Sequence, residues 1–171
     1  RISLPAYVGA FFNLKNQYLA DPNLRKAMSH AIDRQDLVKN QLNSEGSVAY
    51  YPIPAGFVGF NPNASKYEYN TEKAKEYLAK TNIGSSTLRL VSLDSPQYKA
   101  IAEKLSSEWK KLGINTEVVT ADIANLQQNY IRSRNYDILL YGQSIGIDSD
   151  VYSFWHSSQV SDPGLNVSNY K

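Results

Sequence analysis

The chain carries two histidines, His30 and His156, and no cysteine. A nucleophilic enzyme needs a hydroxyl or thiol beside a base that a third group orients. His30 follows Ser29 inside a stretch of helical spacing, which suits a helix face better than a general base. His156 stands in Phe154-Trp-His-Ser-Ser158, and adjacency in sequence does not orient a base. Without cysteine there are no disulfides, thiolate metal sites or thiol nucleophiles. Asp148 and Asp150 flank Ser149, but two carboxylates with no further acidic or Asn run fall short of a calcium loop. Gly142-Gln-Ser-Ile-Gly146 lacks the Lys-Ser/Thr ending of a phosphate loop and the context of a dinucleotide fingerprint. The chemistry that remains is recognition. The run Gly142 to Asp150 gathers amide, hydroxyl and carboxylate groups in one place. Thirteen tyrosines against five Phe and two Trp fit two roles, either wet edges of the core or the lining of a groove for a polar, partly apolar ligand.

Those groups need a scaffold, and the hydropathy pattern supplies an α/β one. Ala6 to Leu14 reads as a strand with Gly9 inside it. Asp21-Pro22 starts a helix, with Asp as N-cap and Pro at the first helical position, and Leu24, Ala27, Met28 and Ala31 follow at helical spacing. Asp33 opens a second helix with Leu37, Val38 and Leu42 on its inner face. From Ser44 to Asn70 periodicity stops among prolines, glycines and aromatics, which marks a long functional or surface-packed loop. Thr71 then caps a helix with Ala74, Tyr77 and Leu78 inward.

The second half is more regular. Thr87–Leu93 alternates like a strand. Ser95-Pro96 starts a helix striped by Tyr98, Ile101, Ala102, Leu105, Trp109 and Leu112, and Gly113 ends it. Ile114 to Thr120 is strand-like. Asp122 caps a helix with Ile123, Leu126, Tyr130 and Ile131 on one face. Tyr136 to Tyr141 is a short, nearly all-apolar strand of the doubly covered kind. The order βαβαβ predicts a largely parallel sheet flanked by helices. In such a sheet ligands collect beyond the carboxyl ends of the strands, here at Ser92–Ser95, Thr120–Asp122 and above all Gly142–Asp150.

Composition narrows the class. A length of 171 residues suits one compact domain. The net charge is only +2 and the basic residues are scattered, so a nucleic-acid stripe is not expected. No apolar run approaches a membrane span, which needs about 18 residues. The first residues, Arg1 to Pro5, do not read as a signal peptide, and the absence of a starting Met suggests a chain cut from something longer.

Several segments resemble a known family in their order. These are Phe12-Asn13, Leu24-Arg-Lys-Ala27, and Ser29-His-Ala-Ile-Asp-Arg34. Pro52-Ile-Pro54 with Gly56 follows, then Tyr69-Asn-Thr-Glu-Lys-Ala-Lys-Glu-Tyr-Leu78, Leu112-Gly-Ile114 and Tyr136-Asp137. Last come Tyr152-Ser-Phe-Trp-His-Ser-Ser-Gln159 and Asn166-Val-Ser-Asn-Tyr170. Together they are similar to the second lobe of bacterial extracellular solute-binding proteins of family 5, the oligopeptide- and dipeptide-binding components of ABC importers.

The resemblance implies a periplasmic-binding-protein lobe of the second type. Residues 1–171 would be most of one ligand-binding lobe, with the first lobe absent. It implies no catalysis, metal or cofactor. The expected ligand is a peptide, with an oligosaccharide or metal complex as the alternative within the family and a stand-alone α/β enzyme or a scaffold domain as rivals outside it. The implied partners are the permease subunits and the missing lobe, and the implied location is extracytoplasmic, with a lipid anchor on the full-length protein. The implied ligand contacts are Tyr141, Gly142, Gln143, Ser144 and Asp148. The chain departs from the family there. The usual Gly-Trp reads Gly142-Gln143, the position nearest the family's Asp reads Gly146, and Asp148 lies two residues on. The Arg that some relatives carry before the Gly is Leu140 or Tyr141.

Overall fold

The computed structural model describes residues 6–53, 56–57, 59–144 and 151–171. A four-stranded sheet with the order β1-β4-β2-β3 organises the chain. Strands β2 (Thr87–Leu93), β3 (Asn115–Ala121) and β4 (Ile138–Ser144) are parallel, while β1 (Ala6–Phe12) runs antiparallel along β4. The sheet is therefore mixed and largely parallel, as the βαβαβ pattern requires. β2 is covered on both faces, and alternate residues go to opposite cores. Leu88 and Leu90 enter one core and Val91 the other.

The larger core lies under helices α1 (Pro22–His30), α3 (Thr71–Leu78) and α4 (Pro96–Lys111). In α4 the stripe Ile101, Ala102, Leu105 and Trp109 is buried against the sheet, and the Trp109 Nε1–H donates to the Met28 carbonyl at 3.0 Å. That bond satisfies the one polar atom of a wholly buried indole. Replacing such a side chain by Ala costs about 3–5 kcal/mol. Gly113 ends the helix at φ +84°, a conformation that favours glycine.

Helix α1 is capped by Asp21, whose side chain accepts from the Asn23 amide at 2.8 Å. Helix α2 (Arg34–Gln41) is capped by Asp33, which accepts from the amides of Gln35 and Asp36. No residue of α2 is fully buried, and Leu37 and Leu42 only lean on the core. A charged bridge adds to this attachment: Lys104 of α4 reaches Asp36 at 2.9 Å and Glu108 at 2.8 Å. The α3 cap differs from expectation. Asn70, and not Thr71, is the N-cap, with its side chain accepting from the Lys73 amide. Either residue type caps well, and Asn70 takes the role because it has extended backbone while Thr71 is already helical.

The return from the long 44–70 segment is clamped. The His30 Nδ1–H donates to the Glu68 carbonyl at 2.6 Å, Arg34 donates to the Tyr67 carbonyl at 2.8 Å, and the Asn70 amide donates to the His30 carbonyl at 2.9 Å. His30 is buried, stacked on Tyr77 and edge-on to Tyr67. Its work is structural.

The smaller core, on the other face, is closed by residues 126–131 and by the C-terminal segment through Leu126, Ile131, Tyr136, Trp155 and Val167. After β3 a single helical turn, α5 (Ile123–Asn125), opens into a π-turn, Leu126–Ile131. The π-turn sets Leu126 and Ile131 both inward at a spacing of five, wider than an α-helix allows. Ile123 was expected on that same face and is instead 59% exposed. The α-helical spacing that grouped it with Leu126, Tyr130 and Ile131 fails once the turn widens.

Candidate functional site at the carboxyl end of the sheet

The strands do not end together. β2 pairs with β4 only from Leu90–Ile138 to Ser92–Leu140. β1 stays paired much further, with Gly9 opposite Tyr141, Val8 opposite Gly142, Tyr7 opposite Gln143 and Ala6 opposite Ser144. From Tyr141 onward, β4 and β1 thus form a two-stranded ribbon beyond the body of the sheet. Among the described residues no strand pairs with the flank of β4 that β2 has left. Residues 142–144, read from sequence as the start of a loop, belong to this strand. The reason is β1, which supplies pairing where β2 has stopped, a long-range contact that local sequence does not reveal.

The two faces of the ribbon differ. On the face of the smaller core stand Tyr7, Tyr141 and Gln143. Gln143 is 4% exposed, and its Oε1 accepts from the Tyr7 hydroxyl. Burial pushes the Tyr7 phenol up to about 12, against the opposing effect of the nearby Trp155 side chain. The Trp155 indole packs on Phe11 with ring centroids 6.1 Å apart, and its buried Nε1 lies beside the phenol without hydrogen-bond geometry to any described partner. Gln143 is therefore a buttress from behind, not a surface that a solute would touch.

The opposite face carries Val8, which is 47% exposed, and Gly142. Tyr98, in the first turn of α4, sets its hydroxyl against Gly142. A Cβ at position 142 would meet that oxygen at 2.8 Å, so glycine is required for the approach. Burial raises the Tyr98 phenol above its ordinary value, and the neighbouring Tyr141 phenol adds to the rise. The Tyr141 hydroxyl accepts from Gln127 Nε2 at 3.1 Å. Asp122 caps α5 by accepting from the amides of Ala124 and Asn125, and exposed Asp94 follows β2.

Of the five residues picked from sequence, Tyr141, Gly142, Gln143 and Ser144 lie together on the projecting part of β4. Asp148, with Gly146 and Asp150, lies outside the described residues. Sequence reasoning passed over Tyr7, Tyr98, Gln127 and Ile123 as site residues. Tyr98, Ile123 and Gln127 shared a signal of position, since all lie on the segments that leave parallel strands, whereas Tyr7 lies within β1 and carried no such signal. His156 is exposed and stacked on Tyr152, and its Nδ1 is within hydrogen-bond distance of the Ser158 hydroxyl at 2.9 Å. Among the described residues no group of three or more His, Asp or Glu is placed to hold a metal, and no helix is long and apolar enough to cross a membrane.

A family model for the middle part of bacterial extracellular solute-binding proteins, family 5, matches residues 3–164. The chain belongs to this family. The oligopeptide-binding protein AppA of Bacillus subtilis is 30% identical over 97% of the chain and 34% of its own length. The structure of that protein with a nonapeptide superposes with a TM-score of 0.88, at 26% identity, over 98% of this chain and 36% of that one. The heme-binding protein A of Haemophilus influenzae is 26% identical over 72% of the chain and 23% of its own length. The family-5 chain described here thus spans about a third of the length of the curated relative it matches over 34% of that relative. The family is one of solute-binding proteins.

Proposed function

We propose that this chain is one ligand-binding lobe of a longer, two-lobed substrate-binding component of an ABC importer, and that it captures extended peptides. The observation that carries the reading is the flank of β4 from Tyr141 to Ser144, which no strand among the described residues covers. A peptide in extended form presents alternating N–H and C=O groups, and it satisfies a vacant strand flank through main-chain hydrogen bonds while its side chains take what space they find. The surroundings suit such a ligand. Tyr141 offers a phenol on one face and Tyr98 on the other, exposed Val8 and Ile123 offer apolar area, and Asp94 and Asp122 bring negative charge. Gly142 lets the Tyr98 hydroxyl close against the strand, which places that phenol beside the open flank. Asp148, four positions beyond Ser144 in the sequence, is the proposed partner for a peptide amino end.

One lobe covers one side of a ligand. Affinity then depends on closure of a second lobe by hinge motion, with delivery to permease subunits at the extracytoplasmic face, where the full-length protein is held by a lipid anchor. A relative named for heme binding makes heme the competing ligand to test. The test is calorimetric titration of the full-length protein with tri-, penta- and nona-alanine and with heme. Saturable binding of oligoalanine, lost or much weakened in residues 1–171 alone, is expected. Binding of heme with no response to any oligoalanine would overturn the peptide reading. Micromolar oligoalanine binding by residues 1–171 alone would remove the need for the second lobe.

A further inference from the structure

The Tyr141 hydroxyl is held from one side. Gln127, half-buried in the π-turn, donates its Nε2–H to the phenol oxygen at 3.1 Å. A phenol has one proton to give and lone pairs to accept with. Because Gln127 occupies it as a donor, the Tyr141 proton is left to point elsewhere, and no described residue accepts it. The hydroxyl lies at the carboxyl end of the sheet. Its partner Gln127 sits on the segment that leaves β3, and Tyr98, whose phenol feels it, sits on the segment that leaves β2. The π-turn makes this possible: with Leu126 and Ile131 both committed to the core, Gln127 is brought against β4.

We infer that Gln127 is a positioning residue that fixes the Tyr141 phenol as a hydrogen-bond donor toward an acceptor oxygen of the bound solute, a carbonyl or carboxylate. The inference rests on the reading of this edge as the ligand site. It specifies which sign of partner the site takes at that point. A ligand group that can only donate would leave the Tyr141 proton without an acceptor, which costs affinity.

The variants that separate this from a packing role differ in hydrogen-bonding sense. Gln127→Lys keeps a donor and Gln127→Glu supplies only an acceptor, so the Tyr141 proton turns to the new carboxylate. In the full-length protein titrated with penta-alanine, Tyr141→Phe is expected to weaken binding about tenfold, the size of one hydrogen bond. Gln127→Glu is expected to match it, Gln127→Lys to bind near the wild-type level, and Gln127→Glu to add nothing in the Tyr141→Phe background. Equal binding by wild type and Gln127→Glu would overturn the inference. So would equal losses in Gln127→Lys and Gln127→Glu, or an undiminished Gln127→Glu loss in the Tyr141→Phe background. A second readout needs no ligand. The tyrosine Fermi doublet in ultraviolet resonance Raman spectra, wild type minus Tyr141→Phe, is expected to show an accepting phenol that becomes a donating one in Gln127→Glu. If no oligoalanine binds the wild type, the peptide reading fails and this doublet alone decides: an unchanged doublet rejects the inference, and a reversed one supports it.

Discussion

Strand β4 has two ends that treat polar groups in opposite ways. At its amino end Asn13 spends its full capacity inside the protein. Its Nδ2 donates to the carbonyls of Arg134 and Tyr136, and its Oδ1 accepts from the Lys15 amide and from Asn169. Nearby Asp137 accepts from Asn16 at 2.7 Å and from the Arg89 amide at 2.7 Å, and the Tyr136 hydroxyl donates to the Val167 carbonyl. At its carboxyl end β4 outruns β2, leaves a flank that no described strand covers, and pairs with the stretch of β1 that carries exposed Val8. Both ends belong to the same strand, so strand propensity does not distinguish them. A buried polar group costs stability unless it is paired. The end where Asn13, Asp137 and Tyr136 are paired internally fastens the C-terminal segment to the sheet, and the end whose flank no described strand covers is suited to a partner.

The contrast is broken most severely at the closed end. Asn13→Ala strands two carbonyls and an amide in a buried place, and a loss of about 3–5 kcal/mol is expected in urea unfolding, since each orphaned group costs about 1–3 kcal/mol. At the open end, Gly142→Ala forces the Tyr98 hydroxyl away from β4 and is expected to cost about 1–3 kcal/mol of overpacking. Its distinguishing result is a drop in penta-alanine affinity, which Asn13→Ala, measured well below its melting temperature, does not share. Unchanged affinity in Gly142→Ala would mean that the close approach serves packing alone.

Tyr7→Phe is expected to have a smaller effect, about 1–2 kcal/mol, because Gln143 loses the donor on its buried Oε1. This variant also has a pH signature. Burial raises the folded-state phenol from 10.0 to about 12. The neutral phenol therefore contributes its stability in full below pH 10 and loses it as pH climbs from 10 toward 12. Tyr136, raised in the same direction by burial, adds to the alkaline loss in wild type and continues to act in the variant. The alkaline fall of the melting temperature should be shallower in Tyr7→Phe, and equal slopes would contradict burial as the cause. The smallest effect on folding is expected from Ile123→Ser, within about 0.5 kcal/mol at an exposed position. Its affinity for penta-alanine should still fall, and an unchanged affinity would remove Ile123 from the ligand surface.

Much of this was legible in the chain. Asp21 and Asp33 before their helices, the 101-102-105-109 stripe of α4 and Gly113 behind it rest on local rules of capping and periodicity. The motif order from Phe12-Asn13 to Asn166–Tyr170 placed the chain in its family. Some readings needed more than sequence. Thr71 and Asn70 are both good caps, and only backbone geometry chose between them. Ile123 fitted an α-helical stripe that the π-turn cancels. Gln143 was picked as a ligand contact because it belongs to the polar run Gly142–Asp150 read as a loop, yet period-two alternation on a strand that continues to Ser144 turns it inward onto Tyr7.

The sequence by itself determined the element order, the two-sided burial of β4 and the family, because caps, periodicities and ordered motifs act over a few residues each. The tertiary structure alone decided where β4 ends relative to β2, which side chains stand behind the site and which face it, and that Gln127 reaches Tyr141. Those depend on strands and turns separated by up to 136 positions, such as Tyr7 and Gln143, and no local rule carries across such a distance.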